Sequence, residues 1–356
     1  MSMELYTNAL HSLRNSGICT KRKLSSDEAD IALASILIFS RIELLTGEGS
    51  SGGYMTHIRG GLQLVKRLGE RLPDSILTKT IVKKLRFLGF YDAVRHEQPY
   101  FMSRPPYNTI YLTHLGDADY LMHRIIEEAI ELPNVLYEAN NLDNLHYATQ
   151  EQIRHGQLTA QHLLSRTAIV EDKVNQWLDM MASVTPYPKV IVTPSVDGAA
   201  DYPQGLRIQF ANCVSSCLWM FYWSLVVRLN RLIKQLHSLH STLSAKLPDH
   251  PQLPASLINR IKDDSISDQY ADNIGISLGT EITASTFHAQ EALAFIFNLY
   301  AYWEERGNIE KTNWCIETLK MLESQGLSLY IQVNERQDKC AALTAAFLAD
   351  RTKTLV

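Results

Sequence analysis

Residues 47–61 read GEGSSGGYMTHIRGG, and whether this run cradles a phosphate or joins two helices decides the fold. A dinucleotide fingerprint needs a strand, a tight glycine turn and then a helix, whereas a nucleotide-triphosphate loop needs a lysine ahead of a serine or threonine. Neither pattern is present. The preceding segment, residues 28–45, reads EADIALASILIFSRIELL and is apolar almost all round, which predicts a central helix stopping at Gly47. Ser25 is placed to cap its free amides while Glu28 returns the reciprocal bond. Beyond the turn, Ile58, Leu62, Val65 and Leu68 recur at helical spacing, with Arg59, Lys66 and Arg67 mainly outside the stripe. Gly60 and Gly61 lie inside this second helix, each at about 1 kcal/mol relative to alanine. Close approach of a neighbouring helix is the expected compensation.

The same periodicity extends in both directions. Leu5, Ala9, Leu10 and Leu13 predict a short first helix ended by Gly17. Residues 72–96 read as a helix pair, and 119–141 as a helix divided or kinked at Pro133. Further helices are expected over about 159–182, through the strongly buried run 206–236 (LRIQFANCVSSCLWMFYWSLVVRLNRLIKQL), over 255–272, 282–307 and 313–326, and in an alanine-rich tail. Long loops fall near 97–109, where Pro105 and Pro106 exclude a helix interior, and near 184–205 and 248–254. Residues 184–205 hold four prolines and two glycines. They read either as a domain boundary or, as the apolar flanking helices favour, as a long ordered loop crossing one domain. KVIV at 189–192 suits one short strand but not a sheet. No fixed-period repeat argues for a solenoid. The expectation is an all-α fold, a single multi-helical domain spanning residues 1–356 with long connecting loops.

Composition narrows the function. The chain has 356 residues, 46% of them hydrophobic, which suits a buried core and argues against disorder. A formal charge of −4 supplies no whole-chain positive field for a polyanion. Ten Lys or Arg face four Asp or Glu between Arg59 and Arg104, but they are spread over several elements and read as solvated surface. Five cysteines argue for a reducing compartment rather than a disulfide framework. With no export leader in the opening residues, the expected location is intracellular, cytoplasmic or nuclear. CLWMFYWSLVV at 217–227 is about half a membrane span and ends at Arg228, so it reads as core and no membrane partner is expected.

Candidate chemistry is sparse. Cys213 and Cys217 stand four apart without a second ligand pair, and His237 with His240 lacks a sequence-near carboxylate, so no metal is expected. Glu127, Glu128 and Glu131 share a helix face but lack the Glu-x-x-His partner of a carboxylate metal site, and read as solvent-facing acids. No G-x-S-x-G element focuses a Ser-His-Asp arrangement. His57 and Arg59, beside the glycine turn, suit anion binding or hydrogen bonding to a carbonyl. The favoured reading is structural, with His57 contacting an acid and Arg59 pairing with Glu43 or another carboxylate. Tyr100, Phe101, Tyr107, Tyr187, Trp219, Tyr222 and Trp223 offer apolar faces with polar edges, the equipment of a pocket for a planar or terpenoid-like molecule, although most such rings are ordinary core. If the pocket is catalytic, His57, Arg59, Tyr107 and Tyr222 are the candidate hydrogen-bond or acid–base groups. No cofactor is implied.

Two segments carry a family resemblance. LASILIFSRIELLTGEGSSGGYMTHIRGGLQLV at 33–65 and GLRIQFANCVSSCLWMFYWSLVVRLNRLI at 205–233 resemble the regulatory domain of fungal zinc-cluster transcription factors, the middle homology region downstream of their DNA-binding module. The resemblance treats Glu43, His57, Arg59 and Gly60 as architectural and gives no catalytic assignment to Asn212, Tyr222 or Trp223. The chain departs from the family in having no six-cysteine cluster, basic linker or coiled-coil segment, so direct sequence-specific DNA binding is not expected. It also begins partway into the family's helical domain. The resemblance implies a stand-alone regulatory or interaction protein that binds a small hydrophobic or aromatic effector, a regulatory protein or a second copy of itself. The alternative is a metal-independent cyclase or isomerase of secondary metabolism on the same fold.

Overall fold

The computed structural model describes residues 3–324, apart from residues 16, 18–22, 47–52, 108–116, 185–186, 193–201, 204–205 and 283–285. Helix dominates the described residues, as the periodicity predicts. The glycine-serine turn at 47–52 and the alanine-rich tail lie outside them. The turn is nevertheless bounded by α2 (Ser26–Thr46) and α3 (Gly53–Leu68), so a helix, not a strand, precedes it. The predicted cap at the start of α2 is present: Glu28 N donates to Ser25 Oγ at 3.2 Å, and Ser25 N donates to Glu28 Oε2 at 2.9 Å. Helix α1 (Met3–Asn15) precedes it.

Where a helix pair is expected over 72–96, the structure has one helix, α4 (Ile76–His96), after a short 3₁₀ turn at Gly69–Arg71. Ser75 starts α4 by accepting from Thr78 N at 2.9 Å, and its own hydroxyl donates to Asp30 Oδ1 at 2.7 Å, tying α4 to α2. Pro133 does divide its region, into α5 (Asp117–Glu128) and α6 (Leu132–Asp143). Helix α7 (Gln150–Val184) begins earlier than periodicity indicates. Gln152 N donates to Thr149 Oγ1 and Thr149 N to Gln152 Oε1, a second reciprocal cap.

The interval 184–209 differs from expectation in holding a sheet, if a minimal one. Strands β1 (Lys189–Val192) and β2 (Leu206–Gln209) pair antiparallel, Val190 opposite Ile208. The sequence reading placed LRIQ in the next helix, but Leu206 and Ile208 turn inward while Gln209 is exposed, a period of two. Helix α8 (Cys213–Ser244) starts only at Asn212, whose side chain accepts from Ser215 N at 2.9 Å. The helix expected over 255–272 is split into α9 (Ala255–Ile258) and α10 (Asp264–Ile282), with Asp263 Oδ1 accepting from Ser265 N at 2.7 Å at the restart. Helices α11 (Thr286–Glu305) and α12 (Ile309–Ser324) follow.

Helices α7 and α8 form the spine. Residues early in α7 meet residues late in α8: Ile153 packs with Leu243, Gln157 meets His240, and Trp177 stacks on Tyr222 at 6.1 Å, so the two run antiparallel. One continuous apolar core then links α2–α4 to α10–α12 across this pair. Tyr202, which lies between the two strands in sequence, is anchored in that core. Its hydroxyl donates to Asp272 Oδ1 at 2.7 Å, its ring meets Trp314 edge-on, and it lies directly over Gly275, where a Cβ would come within 2.1 Å of the ring.

The glycine pair in α3 divides. A Cβ on Gly61 would stand 3.0 Å from Leu85 and 3.1 Å from Ile36, the close helix approach expected, whereas nothing lies within 4 Å of one on Gly60. Only Gly61 serves packing. The three acids expected to face solvent are each engaged by an arginine, Glu128 by one of its own helix and the other two by arginines of other helices. Glu128 meets Arg124, Glu131 meets Arg166 at 3.4 Å, and Glu127 pairs with Arg86, which is wholly buried in α4.

Two stability measurements follow from this packing. Gly60→Ala is expected to stabilise by about 0.5–1 kcal/mol through helix propensity, and Gly61→Ala to melt below it because Leu85 and Ile36 must give way; thermal melts of both check this. Glu127→Leu alone is expected to lose about 3–5 kcal/mol by stranding a buried guanidinium, with much of that recovered in Arg86→Met/Glu127→Leu, as read by urea denaturation.

Candidate functional site

Helix α8 is buried on nearly every side from Ser215 to Ile233, except along one stripe. Cys217, Ser224, Arg228 and Arg231 are the positions left partly open, and their spacing places Ser224, Arg228 and Arg231 on one face. That face forms a wall of a cleft of about 500 Å³. Helix α4 contributes Phe90, Tyr91 and Val94, about one turn apart, and α10 contributes Ala271 and Ile274. Helix α11 closes the cleft with Phe297, Asn298 and Ala301. The lining is therefore mainly aromatic and aliphatic, with polar groups at both ends, and its volume suits a small organic molecule.

At the inner end, Tyr91 is buried, its hydroxyl accepts from Asn298 Nδ2 at 2.9 Å and it lies beside Ser224. Burial pushes the Tyr91 hydroxyl pKa well above its usual value, so it remains a neutral donor and acceptor at physiological pH. At the outer end stand the two arginines of α8. Arg228 pairs with Glu97 and Arg231 with Glu305. Glu97 is the residue that ends α4, held in the left-handed region at φ 53°. Burial, and then the neighbouring Arg228, bring the Arg231 pKa down to about 10. Arg95 lies over the Phe297 ring at 4.1 Å. A second, polar cleft of about 550 Å³ adjoins the first, sharing Glu97, Arg228, Arg231, Tyr302 and Glu305 with it and adding Lys234, Asp264 and Arg306.

The side chains nominated from sequence lie elsewhere and in separate groups. His57 Nε2 is 3.9 Å from Glu43 Oε1, and burial, partly offset by Glu43, lowers the His57 pKa. Arg59 makes a two-pronged contact with Asp92, both bonds at 2.8 Å, rather than pairing with Glu43. Phe101 and Tyr107 meet edge-on at 4.9 Å, and the Tyr107 hydroxyl donates to Lys66 O at 2.9 Å. Tyr100 is buried and donates to Arg86 O at 2.8 Å. Trp219, Tyr222 and Trp223 form a ring cluster on α8, which Tyr187, ahead of β1, joins through Trp219. Burial foremost, and then Tyr270, raise the Tyr222 hydroxyl pKa above its ordinary value. None of these residues lines either cleft.

Sequence reasoning missed Tyr91, Arg228, Arg231 and Asn298. A signal existed in α8: Ser224, Arg228 and Arg231 interrupt an apolar run at spacings of four and three, which marks one polar stripe rather than the end of a core segment. Comparison with family models, with curated proteins and with solved structures gave no match.

The Arg59–Asp92 contact has a pH consequence. Burial alone would raise the Asp92 pKa, but bonds from His96 and Arg59 outweigh it and hold the carboxyl at about 2, against 3.8 for an unperturbed group. The folded value lies below the unfolded one, so the stabilisation is present above 3.8 and is lost as pH falls through about 2. Asp92→Asn is expected to lose about 1–2 kcal/mol at neutral pH; in melts run at successively lower pH the gap to the wild type should close across that interval.

Proposed function

We propose that this chain is a regulatory domain that binds a small apolar or aromatic effector in the cleft between α4, α8, α10 and α11. The observation that carries the reading is the cleft itself: an opening of about 500 Å³ with apolar walls, placed where a helix otherwise buried all round presents its single polar stripe. The resemblance of residues 33–65 and 205–233 to the regulatory domain of fungal zinc-cluster transcription factors supports the same reading, and on that view the effector's message passes to a protein partner. Ile31 and Ile38, two turns apart on α2, stay exposed and offer an apolar contact for one.

The cyclase or isomerase reading has less support. His57 and Arg59 are engaged by Glu43 and Asp92, and Tyr107 by Lys66, while Tyr222 packs against Trp177 and Trp219. Convergent acid–base chemistry needs such groups around one reacting atom.

Thermal melts against a panel of apolar and aromatic small molecules test the proposal. At least one member should raise the melting temperature in step with the logarithm of its concentration, by an amount equivalent to about 2.7 kcal/mol at a hundredfold excess over Kd, and Ala301→Trp, which fills the cleft, should abolish the shift. Chromatographic detection of a converted product would replace the regulatory reading with the enzymatic one, and a flat response across the panel would remove the effector site.

A further inference from the structure

We infer that the ligand of this cleft is an organic acid: an apolar, ring-sized body held among Phe90, Phe221 and Phe297, with one carboxylate seated on Arg228 and Arg231. This rests on the proposed effector site and adds the ligand's charge and orientation.

The two guanidinium groups are one helical turn apart on α8, and their side chains are only 21% and 29% exposed. Setting two like charges together in a partly buried wall is unfavourable unless an anion answers them. The carboxylates present answer them only in part. Glu97 engages one terminal nitrogen of Arg228, while Arg228 Nε is buried and makes no hydrogen bond. Glu305 meets one terminal nitrogen of Arg231 from the rim, its side chain 58% exposed. A guanidinium carries five N–H donors in a fixed plane that matches a carboxylate through two parallel bonds. Arg228 Nε has no exposed surface and is out of a cleft ligand's reach, so an incoming carboxylate meets terminal nitrogens, sharing Arg228 with Glu97 and competing with Glu305 at a solvated, weak position.

The opposite end of the cleft sets the orientation. Tyr91, Asn298 and Ser224 are uncharged there, with Arg95 within electrostatic range of Tyr91 and Ser224 one turn from Arg228, and the rest of the lining away from the ion pairs is mainly aromatic and aliphatic. Reversing the ligand would leave its charge with one cation, Arg95, in place of two and set its apolar body against the ion pairs. The depressed Arg231 basicity agrees with a cation lacking full compensation. Arg95, stacked on Phe297, is a third cation of the lining, which also carries Glu97, Glu304 and Glu305.

Equilibrium dialysis of the full chain with 1-naphthaleneacetic acid and with 2-(1-naphthyl)ethanol, which share the ring body and differ in charge, tests this directly. The acid should bind at least roughly tenfold more tightly to the unaltered protein. In Arg228→Met/Arg231→Met that preference should vanish while the alcohol's affinity stays, and Ala301→Trp should reduce both. Equal affinity on the unaltered chain, with binding still blocked by Ala301→Trp, would overturn the anion subsite and leave the effector cleft standing. A preference that survives removal of both arginines would overturn it equally. Failure of both compounds to bind the unaltered chain would count against the cleft and, with it, this inference. Because the deciding comparison uses the unaltered chain, poor folding of a variant does not blunt it.

Discussion

The burial of α8 is the constraint on which the rest of the structure depends. A helix with Phe, Tyr and Trp on several faces cannot be satisfied by one neighbour, so α7 must run its length while α10, α11, α5 and α6 cover the remaining sides. Each of those helices is correspondingly committed on the face it turns to α8. Between Leu218 and Ile233 the positions left partly open are Ser224, Arg228 and Arg231, and the cleft opens along that stripe. The site is thus a consequence of how one helix is packed, not an addition to a finished scaffold.

Much of the fold is legible in the amino-acid order because its signals are local. The Ser25–Glu28 cap, the division at Pro133 and the helical periods of α2 and α3 depend on residues within one or two turns. Three failures share a cause. Gly60 and Gly61 look alike in sequence, but only the distance to Leu85 and Ile36 separates them. The acids at 127 and 131 look solvent-facing until Arg86 and Arg166 arrive from other helices. The LRIQ strand has its alternation, yet an adjoining stretch of strong helical period obscured it.

The candidate site was less legible than the fold for the same reason. Aromatic richness points to rings, and rings occur throughout this core, so composition selected Trp219, Tyr222 and Trp223, which the structure uses for packing. The cleft draws on α4, α8, α10 and α11, separated by up to about two hundred positions, as Tyr91 and Asn298 illustrate with their direct hydrogen bond. No spacing rule reaches that far. What remained visible was the interruption of an apolar run by polar residues in helical register.

The placement of the tryptophans has an optical consequence. All five, at 177, 219, 223, 303 and 314, are buried, and they belong to α7, α8, α11 and α12. The chain's tryptophan emission, excited at wavelengths beyond tyrosine absorption, is therefore a gauge of that half alone. A local opening that separates α2 and α3 from their neighbours leaves the indoles in their apolar surroundings and the spectrum unchanged, so a single sharp fluorescence transition can coexist with an amino-terminal layer that has already come away.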